Sequence, residues 1–119
     1  MTRRPDWAAR LAALLRVAEQ RSFDARHWNC ATFAITAVEA VTGGWPLFRV
    51  LPTLEASADS AGFPRIAPAF ARAGDVVLVR TPEERLGVVV DGGRAAFLAP
   101  HGLLHQPMDA RIAVAWRIG

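Results

Sequence analysis

Two periodicities divide the chain near Gly74. Upstream, apolar residues recur at helical spacing; downstream they alternate or run in short blocks. Trp7, Leu11, Leu14, Leu15 and Ala18 share one helical face, while Arg10, Arg16 and Glu19 fall off it. Pro5 suits a first helical turn and Asp6 its positive end, so a helix is predicted to about Arg21, within an N-terminal segment 1–22. Ser22–Trp28 reads as a polar, aromatic connector. Asn29 is a good N-cap, and Cys30, Phe33, Ala34, Ala37, Val38 and Val41 then predict a second helix starting at Cys30. Gly43-Gly44 ends it, which makes 23–44 a cysteine-helix segment. Trp45–Pro52 holds two prolines and reads as extended or looped. Thr53–Ala61 predicts a short third helix, capped by Thr53 and closed by Gly62. Phe63–Ala73, with Pro64 and Pro68, reads as a loop crossing a sheet.

The last third predicts strands. Asp75–Arg80 carries Val-Val-Leu-Val, and Leu86–Asp91 carries Leu-Gly-Val-Val-Val. Gly92-Gly93 is a two-residue hairpin turn from which Arg94–Leu98 returns. Pro100-His101-Gly102 turns into a short strand, Leu103–Gln106. Ile112, Val114, Trp116 and Ile118 alternate, as a half-buried strand does. Helices first and antiparallel strands after predict one α+β domain over 1–119, with its sheet in 74–119.

Composition narrows the function classes. The 119 residues are 52% hydrophobic and 21% charged, a globular balance. No stretch approaches the roughly 20 apolar residues of a membrane span. Charges interrupt Trp7–Ala18, so no secretory signal is read, and synthesis in a cytoplasm is expected. One cysteine excludes an internal disulfide and a multi-cysteine zinc site. His27, His101 and His105 are too scattered for a metal cluster, so no metal or cofactor is expected. The net charge is +3, and all 14 basic residues are arginine. They are spread among acidic residues from Arg3 to Arg117, which argues against a nucleic-acid partner.

Cys30 is the candidate nucleophile. A thiol at a helix N-terminus meets the positive end of the macrodipole and unpaired N–H groups, and both favour the thiolate. The competing reading is a core residue, because Cys30 also lies on the apolar stripe with Phe33 and Val38.

Phe23-Asp24-Ala25-Arg26-His27-Trp28-Asn29-Cys30-Ala31-Thr32-Phe33 resembles the nucleophile segment of the NlpC-type branch of papain-like cysteine peptidases. Gly74-Asp75-Val76-Val77-Leu78 resembles the glycine-aspartate pair that opens that family's central sheet, and Leu86-Gly87-Val88-Val89-Val90 resembles its next strand. The chain also resembles short proteins encoded among tail genes of bacteriophages and prophages. The shared features are Cys-Ala-Thr-Phe at the helix start, the Gly102-Leu103 turn and a last strand like Ala115-Trp116-Arg117-Ile118. The resemblance implies a papain-like, NlpC-type fold from about Phe23 onward. It also implies a histidine base at the head of the strand after the Gly-Asp strand, where this chain has Leu86. The orienting polar residue would lie on Arg94–Leu98, where Ala95–Leu98 supply none.

The resemblance thus implies a structural or accessory component of a bacteriophage tail tip, with a degenerate cysteine-hydrolase site. Its location would be the virion, and its partners other tail-tip proteins, reached through edge strands or the Trp45–Pro68 segment. The alternative is a peptidoglycan peptidase or amidase using Cys30, with His105 on its short strand as a non-standard base. His101 is the weaker substitute, and His27 more plausibly shapes the connector. A third reading is a module that binds a wall peptide or a lipid without cleaving it. Trp28 and Asn29 are candidate cleft-lining residues, although Trp28, Trp45 and Trp116 also read as core or rim aromatics. Glu83-Glu84-Arg85 reads as a solvated hairpin tip, and Asp75 as a residue that caps or pairs with an arginine.

Overall fold

A computed structural model describes residues 1–80 and 83–119. Among these residues, three α-helices precede a six-stranded sheet: α1 (Trp7–Gln20), α2 (Cys30–Thr42) and α3 (Leu54–Asp59). The strands are β1 (Arg65–Ile66), β2 (Val76–Val79), β3 (Arg85–Asp91), β4 (Arg94–Ala99), β5 (Gly102–Pro107) and β6 (Ile112–Trp116). Their order across the sheet is β1-β6-β2-β3-β4-β5, and each neighbouring pair is antiparallel. The expected α+β class, with helices on an antiparallel sheet, is therefore what the chain forms.

Local chemistry sets the helix ends. Asn29 Oδ1 accepts from the Thr32 N–H at 3.0 Å, and Thr32 Oγ1 accepts from the Asn29 N–H at 2.8 Å. This reciprocal capping box satisfies two donors at the head of α2 and makes Cys30 its first residue. Gly43 closes α2 at φ +83°, a backbone conformation that costs glycine nothing. Thr53 caps α3 as expected. The segment 63–73 departs from a plain loop. Arg65–Ile66 pairs with Ala115–Trp116, and Pro68–Phe70 makes one tight 3-10 turn.

Both sheet faces are covered. On the helix side, Ala34, Val38 and Val41 of α2 pack on Val76, Leu78, Leu86, Val114 and Trp116. Beside them Leu11 and Ala18 of α1 join Trp28, Phe33, Val88, Ala96 and Leu98. On the other face, Val77, Val79, Val89, Ala95, Phe97, Ile112 and Ala115 form a third cluster, closed by Ile66, Ala71 and Met108. Gly87 belongs to that face because a Cβ there would lie 2.4 Å from the Phe97 ring and 2.3 Å from the Ala96 carbonyl oxygen.

The fully buried Asp75 ties the ends of the chain to the sheet. Its Oδ1 accepts from Arg3 at 3.1 Å and from the Ile118 N–H at 2.9 Å; its Oδ2 accepts from the Arg72 N–H at 3.0 Å and Arg117 Nε at 3.1 Å. The Gly-Asp pair is thus structural here. Two expectations need correction. Trp45 is not a core aromatic but 64% exposed. Arg85 is not a solvated tip: it opens β3, and its side chain is only 15% exposed beside Glu83.

Candidate functional site

Cys30 stands where the cap of α2 meets the head of β3. β3 begins before β4 joins it: Arg85 and Leu86 pair with Val79 and Leu78 of β2, whereas β4 pairing starts at Gly87. Backbone direction alternates along a strand. Val89 donates to Asp75 and accepts from Gly74, both beside β2, so the Leu86 N–H points towards the β4 side. The Leu86 amide lies near enough to Cys30 to favour its thiolate. A segment distant in sequence is thereby brought onto the candidate nucleophile, and the residue at the contact is Leu86.

The electrostatics oppose ionisation. Cys30 is half-buried, and burial pushes its thiol above the ordinary range; the Leu86 amide and the charge of Arg85 pull the other way without offsetting it. Arg85 was missed by sequence reasoning as a neighbour of the thiol. Its place immediately before Leu86, at the head of the strand expected to face Cys30, was the available signal.

No histidine supplies the base. Leu86 is 1% exposed, and its side chain packs with Ala34, Val38 and Trp116 against an apolar crevice of about 30 Å³. The strand that would carry the orienter offers Ala95, Ala96, Phe97 and Leu98, all buried and apolar. His105 is exposed on the edge strand β5, opposite Ala96, which in turn pairs with Val88. Two strand spacings and two residues along β3 place it roughly 12 Å from Leu86, beyond hydrogen-bond reach of a thiol beside that residue. His101 is exposed in the β4–β5 turn. The His27 ring lies 3.4 Å from Asp24 Oδ2, with its side chain 74% exposed in the connector.

The candidate lining residues are occupied elsewhere. Trp28 is 3% exposed, edge-on to Phe33 with ring centroids 6.1 Å apart, and the Arg21 guanidinium covers it 4.2 Å from the ring centre. It is a core aromatic. The Asn29 side chain accepts from Thr32 and donates to the Ala25 carbonyl at 2.9 Å, so it holds the connector against the helix cap. Among the described residues no group of three or more His, Cys, Asp or Glu side chains could hold a metal ion, and no helix is long and apolar enough to cross a membrane.

Chemically, the arrangement can present a thiol at a helix N-terminus to the head of a strand, but it cannot relay a proton from it through an imidazole. No curated protein matches the chain. A model of the DUF6950 family, described as a domain of unknown function, matches residues 2–51 and 48–118, two overlapping segments that span almost all of it. Helices, cysteine-bearing cap and sheet all lie within that match, and the chain belongs to the DUF6950 family.

Proposed function

We propose that this domain is a structural or accessory component of a bacteriophage tail tip, built on an NlpC-like, papain-related scaffold whose cysteine-hydrolase site has lost its base. The observation that carries the reading is Leu86. A cysteine hydrolase needs its nucleophile on a helix N-terminus and its base on the strand facing it. The resemblance implies a base at the head of β3, and the residue there, close to Cys30, is the buried Leu86. The tail-tip location, the virion and the tail-protein partners rest on the resemblance of Cys30–Phe33, Gly102-Leu103 and Ala115–Ile118 to phage tail-region proteins. The proposal needs no cofactor.

The competing reading is a peptidoglycan peptidase or amidase. Its support is Arg85, whose charge favours the thiolate. A charge lowers the cost of ionising the sulfur, but it does not return a proton to the leaving amine, so that reading still lacks a general acid.

The test is incubation of purified peptidoglycan with the full chain and with Cys30→Ala. No released wall peptide is expected from either, and adding Leu86→His alone should not create activity, because no orienter stands on β4. Release by the unaltered chain that disappears in Cys30→Ala would overturn the proposal. Antibody labelling of purified particles tests the location: label at the tail tip is expected, and particles without label would contradict it.

A further inference from the structure

Between α2 and α3 the chain runs from Trp45 to Leu51 without helix, turn or bend. Pro46 and Pro52 bias the residues before them, Trp45 and Leu51, towards extended backbone. One edge of this run is already occupied. The Arg49 and Leu51 N–H groups donate to Ser60 Oγ and Ser57 Oγ, both at 2.8 Å. In an extended chain the intervening N–H groups point the opposite way. Those of Phe48 and Val50 lie on the outer edge, where no hydrogen-bond partner is found among the described residues.

The side chains add to this. Leu47 is 85% and Val50 90% exposed, beside the exposed Trp45, an unusual concentration of apolar surface in one short run. Phe48 and Pro46 instead turn inward and line the apolar crevice under α2, which anchors the run to the core. Arg49 is exposed and makes no ion pair among the described residues, and no acidic residue occurs from Ala40 to Leu54.

We propose that Leu47–Leu51 is a docking edge for an extended strand of a partner protein, one that alternates apolar side chains and sets a carboxylate opposite Arg49. Three features coincide in that occupant: it pairs the outer peptide groups, covers Leu47 and Leu51, and neutralises Arg49 on the same face. A lipid surface fits less well, because the unpaired peptide groups would enter hydrocarbon with no hydrogen-bond partner. A second copy fits less well too. Antiparallel self-pairing centred on this run sets Arg49 opposite Arg49, and like charges directly across a pair repel. The inference does not depend on where the protein works.

The probe is a synthetic peptide of alternating valine and threonine with one central aspartate, followed by amide hydrogen exchange on the full chain. Exchange at Phe48 and Val50 is expected to slow by about tenfold or more at saturating peptide. A peptide N-methylated on alternate amides should give no protection. Arg49→Glu should transfer the preference to a peptide with central lysine. Val50→Pro removes an outward donor whose side chain is exposed, so the fold should persist while protection disappears. The proposal is overturned by unchanged exchange at millimolar peptide, or by protection that survives Val50→Pro. It is equally overturned if anionic phosphatidylglycerol vesicles or concentration-dependent dimerisation protect these amides in place of the peptide.

Discussion

At Cys30 the positive end of α2 and the surrounding apolar residues act in opposite directions on one proton. The helix terminus, the Leu86 amide and Arg85 favour the thiolate, and burial disfavours it more strongly. The folded-state pKa is therefore raised above the unfolded one, and between the two values the native state holds the extra proton. The stability this contributes is complete below the ordinary thiol range and is lost as pH rises through the folded value. Cys30→Ala should remove that alkaline loss. The stability difference between the unaltered chain and Cys30→Ala, from urea midpoints at pH 7 and pH 10, should narrow at the higher pH. A difference that stays constant or widens would contradict the direction of the shift. Cys30→Ser should stay within about 1 kcal/mol of Cys30→Ala at neutral pH, since the Leu86 amide offers its hydroxyl a donor.

The elements that carry the site are held by a few contacts with large mechanical consequences. Gly87 lets β3 approach β4 under the Phe97 ring; Gly87→Ala should destabilise the fold by about 1–3 kcal/mol, because the new methyl meets backbone as well as a flexible ring. Asp75 gathers four donors at the start of β2. Asp75→Ala should cost about 3–5 kcal/mol, since Arg3 would keep a largely buried charge without its partner. Chemical denaturation checks both values, and a loss below about 1 kcal/mol for Asp75→Ala would show that the hub is dispensable. Much of this level is legible in the sequence. Asn29 and Thr32 announce the cap of α2, Gly92-Gly93 the β3–β4 turn, and alternation in Ile112–Trp116 the last strand, because each is a local signal. β1 is not legible, since two residues between prolines carry no periodicity and become a strand only by pairing with β6. Asp75 reads as an arginine partner, but only the Arg72 amide is local; its other three donors, on Arg3, Arg117 and Ile118, come from the two ends of the chain and could not be foreseen.

Across the whole molecule, the sheet order explains both what the candidate site contains and what it lacks. β3 lies between β2 and β4, so its head emerges under the cap of α2, whereas β5 is at the edge and carries His105 away from the thiol. Sequence reasoning could name Cys30 and Leu86, but their juxtaposition is a property of the folded sheet, as is the burial of Trp28 away from any cleft. Arg85 became a neighbour of the thiol for the same reason. The ion pairs Arg65–Glu55 and Arg65–Asp59, each 2.6 Å, fasten α3 to β1 and so hold the base of the extended Trp45–Leu51 run. The thiol sits at a helix N-terminus without being poised for chemistry. The most direct test needs no substrate: the rate of alkylation of native Cys30 by a small reagent, measured against pH with and without denaturant. Slow reaction is expected in the native protein, with an inflection above the ordinary thiol range of about 8.5, and fast reaction once unfolded. Rapid native alkylation that is already complete in its pH dependence at pH 6 would contradict it.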